Sequence, residues 1–151
     1  MDEVNSGYGI EFFIPGKPQG KARARTFYNP RLKRVQTITP DSTVLYENLI
    51  KMRFLEAVDG PFPLFGAGIP VRLELTIMYG VPRSASKKAS AEMLLGAVRP
   101  CKKPDADNVI KCIADALNGA AYKDDTQVCE VTARKMYSTV EGVRVRISRL
   151  A

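Results

Sequence analysis

The segment PVRLELTIMYG, residues 70–80, alternates apolar and polar side chains along its length. Successive side chains of an extended chain point to opposite faces, so this alternation predicts a strand with one buried face. A helical pattern precedes the segment and another follows it, which indicates a domain that combines a sheet with helices. The face expected to be buried carries Val71, Leu73, Leu75, Ile77 and Tyr79, and the opposite face carries Arg72, Glu74 and Thr76.

The helical pattern before this strand is TPDSTVLYENLIKMRFLEAVDG, residues 39–60. Thr39 suits the N-cap, Pro40 suits the first helical position and Gly60 suits the end of a helix. The spacing predicts an inward-facing stripe of Leu45, Leu49 and Met52.

The helical pattern after the strand is ADNVIKCIADALNG, residues 106–119. Gly119 stands where a helix commonly ends in a glycine. Before it, SASKKASAEMLLGA (84–97) indicates a short helix capped by a serine within a long basic connection. The core-facing stripe of the 106–119 helix is predicted to be Ile110, Ile113, Ala114 and Leu117.

Three further strands complete the expected fold. GIEFFI (9–14) is a short apolar run that Pro15-Gly16 ends, and residues 127–138 and 142–150 are expected to be strands joined by a tight turn near Glu141-Gly142. Residues 16–35 have no apolar period and are expected to form a loop or an irregular hairpin. The sequence therefore predicts one small α+β (mixed α/β) domain over residues 1–151, with about four strands and two main helices in the order β-α-β-(α)-α-β-β.

Composition excludes several classes of protein. A length of 151 residues with 45% hydrophobic content suits one globular domain, and no apolar run approaches a membrane span. The first residues, MDEVNSGYG, lack the apolar core of a signal peptide. The chain has no histidine, so it has no Ser-His-Asp or Cys-His catalytic pair, and a zinc site is not expected. Its three cysteines are expected to be reduced, mostly buried thiols of a cytoplasmic protein.

Positive charge is concentrated in two segments of a chain whose net charge is +7. Residues 12–40 hold seven Lys or Arg residues and no acid, and residues 83–103 hold six against Glu92 alone. Such segments fit a polyanionic partner, although a solvated basic surface has the same composition. If the partner is a nucleic acid, the side chains expected to contact it are Lys17, Lys21, Arg23, Arg25, Lys87, Lys88, Lys102 and Lys103.

Five aspartates nevertheless gather in KKPDADNVIKCIADALNGAAYKDD, residues 102–125. Structural roles are available for them one at a time: Asp107 as an N-cap, Asp107-Lys111-Asp115 as i, i+4 ion pairs, and Asp124-Asp125 as a turn. Capping requires one aspartate rather than two before a helix and two after it. If residues 105–107 are extended, Asp105 and Asp107 point the same way. Carboxylate oxygens suit Mg²⁺ or Mn²⁺, and such a metal with a lysine and basic surroundings indicates phosphodiester hydrolysis.

The same segment resembles the signature of the RusA-type Holliday junction resolvases. The matching parts are Asp105, Asp107, Asn108, Lys111, Asp115-Ala116-Leu117, Asp124-Asp125 and Gln127-Val128. Weaker similarity covers most of the chain, in IPGKPQGKARAR (14–25), EVTARKMYS (130–138) and GVRVRI (142–147). Ala24 stands where many relatives carry proline, a departure that concerns the rigidity of the loop rather than the chemistry.

The resemblance implies a homodimeric, Mg²⁺-dependent endodeoxyribonuclease, of prophage or bacterial type, that nicks four-way DNA junctions symmetrically in recombination and repair. It places the metal ligands at Asp105, Asp107 and Asp125 and the essential lysine at Lys111. Second-rank members of the site are Asp124, Asn108 and Asp115.

Two other functions stay open on the sequence. One is a non-catalytic protein of the same fold that binds branched DNA, with its aspartates serving as caps. The other is a different metal-dependent phosphotransfer enzyme acting on nucleotides, for which the two basic segments carry more charge than the substrate requires.

Overall fold

The computed structural model describes residues 9–151, and the residues at 1–8, on which the signal-peptide expectation rests, lie outside that part. The described chain is a single α+β domain, as predicted, with strands in two separate sheets. It has two strands more than expected, because residues 16–35 contribute to a regular hairpin rather than to the expected loop or irregular hairpin. The elements are β1 (Gly9–Pro15), β2 (Arg25–Asn29), β3 (Arg34–Ile38), α1 (Asp41–Ala57), β4 (Val71–Gly80), α2 (Lys87–Leu94), α3 (Ala106–Ala116), β5 (Val128–Ser138) and β6 (Gly142–Arg149).

The main sheet has the strand order β1-β6-β4-β5. β4 pairs with β5 in parallel and with β6 in antiparallel fashion, so the strand that the alternation predicts has a neighbour on each side. The predicted face is the buried one: Val71, Leu73 and Ile77 have no exposed surface. A parallel pair requires a long crossover, and α2 and α3 supply it between β4 and β5.

The short connection between β5 and β6 does not make a hairpin, although the sequence suggests two strands joined by a tight turn. β4 lies between the two strands, with Gly80 opposite Ser138 of β5 and Met78 opposite Gly142 of β6. The turn crosses the end of β4, where Glu141 Oε1 accepts a hydrogen bond of 3.3 Å from the Gly80 N–H. A Cβ at Gly80 would lie 2.7 Å from that oxygen, so a larger residue there would require the Glu141 side chain to shift.

Helix α1 buries a different face from the predicted one. Leu45 is 69% exposed and Met52 is 52% exposed, so the predicted stripe was wrong apart from the half-buried Leu49. The helix carries apolar side chains on both sides, and periodicity alone does not select between them. Packing does, because Phe54 meets Phe12 of β1 edge to face at 5.6 Å between ring centroids. The buried residues of α1 are Thr43, Tyr46, Ile50 and Phe54.

Helices α2 and α3 follow the sequence more closely. Ser86 caps α2, accepting a hydrogen bond of 3.1 Å from the Ala89 N–H, as the serine cap predicts. Gly119, in the turn after α3, has φ +81°, a backbone conformation that favours glycine. The buried side of α3 includes Ile113 and the adjoining Leu117, as expected, while Ile110 and Ala114 are half-buried and Val109, Cys112 and Ala116 fill the core.

The cysteines are free, as expected, but only Cys112 is buried, whereas Cys101 and Cys129 are exposed. Burial raises the pKa of the Cys112 thiol to about 12, so this group is an inert part of the core. Within residues 9–151, no helix combines the length and the apolar composition that crossing a bilayer requires.

The two faces of α1 can be tested by a pair of substitutions. Ile50→Ala should lower the free energy of unfolding by about 2–5 kcal/mol, because it opens a cavity under a fully buried side chain. Leu45→Ala should change it by no more than about 0.5 kcal/mol, because that side chain is largely exposed. Urea denaturation of both variants measures the difference, and equal losses would contradict the orientation of α1.

Candidate functional site

The candidate site begins at the carboxyl end of β4, where the segment that leads into α3 is attached to the sheet. The Tyr79 hydroxyl donates a hydrogen bond of 2.9 Å to the Pro104 carbonyl. Lys102 Nζ lies 5.7 Å from the centre of the Tyr79 ring and 5.6 Å from that of Tyr137, within cation–π range. Partial burial, and after it the charge of Asp105, raises the pKa of Tyr79. These contacts fix the backbone immediately before Asp105.

The first basic segment lies directly on the start of α3. The Lys21 N–H donates to the Asn108 carbonyl at 3.2 Å, and the Ala22 N–H donates to Thr43 Oγ1 of α1 at 3.2 Å. A Cβ at Gly20 would lie 2.8 Å from Cβ of Asn108, so only glycine allows this approach without a shift. The loop is therefore held between α1 and α3.

A cleft of about 690 Å³ separates this loop from the segment before α3. Lys17, Lys21, Arg23 and Lys103 line it together with Asp105. Two basic segments that lie far apart in the sequence thus share one cavity with a predicted metal ligand. The basic side chains give this cleft a positive potential, which is favourable for an anionic ligand.

Lys21 also reaches the other end of α3. Its ammonium donates a short hydrogen bond to Asp115 Oδ2 and lies 3.5 Å from Glu47 Oε1 of α1. The hydrogen bond to Asp115 is the main cause that raises the pKa of Lys21. In the described chain Asp115 pairs with Lys21 rather than with Lys111, so the i, i+4 ion pairs that the spacing suggested are not formed.

Asp124 and Asp125 belong to a short 3-10 turn, Asp125–Gln127, before β5. The buried Gln127 side chain holds this turn, since its Oε1 accepts from the N–H groups of Lys123 and Asp124 at 3.0 and 3.2 Å. Its Nε2 donates to the carbonyls of Gly66 and Ile69 at 2.8 and 3.0 Å.

The pKa values of the adjacent carboxyl groups of Asp124 and Asp125 are shifted in opposite directions. A hydrogen bond from Thr126 Oγ1, 2.7 Å from Asp124 Oδ2, is the main cause that lowers the pKa of Asp124. Burial, followed by hydrogen bonding to Asp115 and Asp124, raises the pKa of Asp125. Asp124 is thus a satisfied cap, as a structural role would require, whereas Asp125 lies against other carboxyl groups and forms no ion pair with any cation of residues 9–151.

The aspartates before the helix differ from the sequence expectation. Asp105 is the N-cap residue and Asp107 lies in the first helical turn, so Asp107 is not the N-cap and the two side chains do not share one extended segment. Asp107 and Asp115 are eight residues apart along the helix, which is about 12 Å at 1.5 Å per residue. Lys111 and Asn108 are exposed on the same helix.

The predicted metal ligands therefore fall into two places. Asp105 and Asp107 lie at the start of α3, and Asp125 lies with Asp124 beside Asp115, which is in the last turn of the helix. Across residues 9–151, no three carboxylates or thiols come together in an arrangement that could hold a metal ion. The donor atoms are the oxygens that a hard divalent cation prefers, but this arrangement does not gather Asp105, Asp107 and Asp125 around one point.

Sequence reasoning missed several residues that build the site. Tyr79 was assigned only to the core face of β4, and neither Glu47 nor Lys135 was singled out. Lys135 donates a hydrogen bond of 2.5 Å to the Lys102 carbonyl and lies 5.2 Å from the Tyr79 ring centre. Gln127 belongs to the RusA-like signature, and its buried side chain has a structural role there, because it holds the turn before β5.

Comparison with known proteins bears directly on this site. The family model described as Endodeoxyribonuclease RusA matches residues 15–148, which include the basic loop, the cleft and all five aspartates. The chain belongs to the RusA endodeoxyribonuclease family. It is also 38% identical over 84 residues to a protein of Bacillus subtilis (strain 168) named as the uncharacterized protein YqaN. That alignment covers 54% of this chain and 59% of YqaN, so the chain spans less than two thirds of this curated relative.

The role of Gln127 in this RusA-family site can be tested by stability. Gln127→Ala leaves two backbone N–H groups and two carbonyls without their partner, and should lower the free energy of unfolding by about 2–4 kcal/mol. The neighbouring exposed residue gives a control, because Thr126→Ala removes only the bond to Asp124 and should cost less than about 1 kcal/mol. Urea denaturation compares them, and equally small losses would mean that Gln127 does not hold the turn.

Proposed function

We propose that this chain is a metal-dependent endodeoxyribonuclease that resolves four-way DNA junctions by paired, symmetric nicks in recombination and repair. The observation that carries the proposal is the RusA family match over residues 15–148, which includes the cleft where Asp105 lies among basic side chains. We assign its action to the cytoplasm, in keeping with its free cysteines, and expect a bacterial or prophage setting.

The basic side chains have the simplest task in this proposal. Lys17, Arg23 and Lys103 line the cleft and would neutralise phosphates of a bound strand. Lys21 contributes less free charge, because its ammonium already pairs with Asp115 and Glu47. Lys87 and Lys88 are exposed at the start of α2 and would extend the contact along the duplex arms.

Catalysis is assigned to Asp105, Asp107, Asp125 and Lys111. The three carboxylates are the proposed ligands of Mg²⁺, with Mn²⁺ as a substitute, and sharing one ion would require Asp125 to approach Asp105 and Asp107, which lie at the other end of α3 in this structure. A bound ion would polarise the scissile phosphodiester. Lys111 is exposed and pairs with neither Asp107 nor Asp115 in the described chain, so its ammonium is available to stabilise negative charge on a phosphate.

A second candidate is a non-catalytic protein that binds branched DNA. It is favoured by the structural position of Asp124, which caps the turn that Gln127 holds. Asp105 occupies the N-cap position of α3, but its side chain makes no capping hydrogen bond. Cleavage of a synthetic four-way junction with and without Mg²⁺ distinguishes the two candidates, because only the nuclease produces nicks.

Substitution of Asp107 tests the catalytic assignment. Asp107→Asn should reduce junction cleavage on the order of 10²-fold, because an amide is a poorer ligand for a hard cation, while junction affinity changes by less than about twofold. Asp59→Asn is a matched control, an exposed aspartate outside the acidic segment, and should cleave normally. Cleavage at the wild-type rate by Asp107→Asn would remove Asp107 from the set of ligands.

We also propose a homodimer. One active site makes one cut, and paired cuts across a two-fold junction call for two sites related by two-fold symmetry. Sedimentation of the purified chain should give a mass close to twice that of the 16.7 kDa chain. A monomer that still cuts both strands in one binding event would refute the dimer without refuting the nuclease.

A further inference from the structure

The hairpin formed by β2, its turn and β3, residues 25–38 (the hairpin arm), stands apart from the main sheet. Its two strands form a sheet of their own, paired from Arg25 opposite Ile38 to Asn29 opposite Arg34. Most of its apolar side chains are exposed, Tyr28 by 61% and Val35 by 64%. A two-stranded hairpin alone is only marginally stable in water, and exposed apolar surface of this kind marks a contact with a partner.

The turn at the tip of the arm is ordered by side-chain hydrogen bonds of Asn29. Asn29 Oδ1 accepts hydrogen bonds from the N–H groups of Arg31 and Leu32 at 3.0 and 3.3 Å. Asn29 Nδ2 donates to Gln36 Oε1 at 2.8 Å, which ties the turn to β3. The turn therefore holds the two strands in one register and fixes which side chains share a face.

One face of the arm is uncharged and exposed. Cross-strand pairing places Tyr28 opposite Val35 and Thr26 opposite Thr37, and the two threonine hydroxyls lie 3.5 Å apart. We call Thr26, Tyr28, Val35 and Thr37 the stacking face. A tyrosine ring beside a branched aliphatic side chain, without a charge between them, offers an aromatic surface on which a nucleobase can stack.

The charges around this face select the partner. The arm carries Arg25, Arg31, Lys33 and Arg34, and residues 12–40 contain no acid. Pairing the arm with the arm of a second copy would bring two sets of four positive charges together, which is unfavourable. Exposed aromatic and basic side chains together are complementary to single-stranded or unstacked nucleic acid.

The position of the arm agrees with that partner. Lys21 and Arg23 line the cleft that contains Asp105, and the chain continues from them directly into β2. At the other end, β3 leads into α1, whose Thr43 binds the loop through Ala22. A strand of DNA lying in the cleft would therefore run past the base of the arm.

We propose that the stacking face of the hairpin arm receives bases that are unstacked at a branch point, and so gives the protein its preference for branched over continuous DNA. Within a continuous duplex each base is covered by its neighbours, whereas a branch point exposes base faces. The arginines of the arm supply affinity for any DNA, and Tyr28 supplies the discrimination. This inference rests on the DNA substrate in the proposed function, but it concerns binding rather than cleavage.

The test uses the full chain in EDTA, so that binding is measured without cleavage. Affinities for a four-way junction and for a duplex of the same sequence are measured for wild type, Tyr28→Ala and Tyr28→Phe. Tyr28→Ala should weaken junction binding by about tenfold and duplex binding by less than about twofold, while Tyr28→Phe, which keeps the ring, should stay within about twofold of wild type on both. Leu45→Ala removes an equally exposed apolar side chain from α1 and should leave both affinities unchanged.

Salt dependence separates stacking from charge. Tyr28→Ala should shift junction affinity without changing its slope against salt, because stacking releases no counterions, whereas Arg31→Ala should flatten the slope for junction and duplex alike. A junction with 5-iodouracil at the branch point should crosslink to Tyr28 on irradiation.

Three results would overturn the inference. In the first, Tyr28→Ala weakens junction and duplex binding equally, or leaves both unchanged. In the second, the branch-point crosslink maps outside the arm. In the third, Tyr28→Ala changes the sedimentation mass, which would make the stacking face a contact between copies. A chain that shows all the expected binding but no cleavage with Mg²⁺ would refute the nuclease and leave this inference standing.

Discussion

The candidate site depends on the ion pairs that the Lys21 ammonium forms with Asp115 and Glu47. The ammonium meets Asp115 near the end of α3 and Glu47 of α1, while the backbone of the same residue binds Asn108 near the start of α3. One residue thus attaches the basic loop to two helices. Together with the hydrogen bond from Ala22 to Thr43, this attachment fixes the first basic segment relative to Asp105 and so defines the cleft between them.

The carboxylates at the end of α3 and in the turn after it are stabilised by different partners. Asp115 has Lys21, and Asp124 has a hydroxyl and backbone donors within its turn. Asp125 lies beside both, and its carboxyl has a raised pKa, the expected response of an acid held among other acids in a partly buried place. Protonation or a bound cation relieves that cost, and the second is the relief that a nuclease would use.

Local patterns in the sequence predicted the parts of the fold that local physics determines. β4 follows from the alternation of residues 71–79, and α3 from its apolar spacing and from the glycine after it. The face of α1 could not be predicted in this way, because Leu45 and Ile50 lie on opposite apolar sides and only the packing of Phe54 against Phe12 of β1 decides between them. The site shows the same division: the family signature found the aspartates, but the Lys21–Asp115 pair joins residues 94 positions apart, and no local pattern contains it.

The crossing of β4 by the β5–β6 turn has a consequence for how the domain assembles. β1 pairs only with β6 in the main sheet, and β6 pairs on its other side with β4. The first strand of the described chain is therefore attached to the sheet only through the last strand, whereas β4 and β5 pair across the two intervening helices. Contacts of such long sequence separation carry a large loop-closure cost and slow folding. Pairing of β6 with both neighbours is therefore what connects β1 to the rest of the sheet.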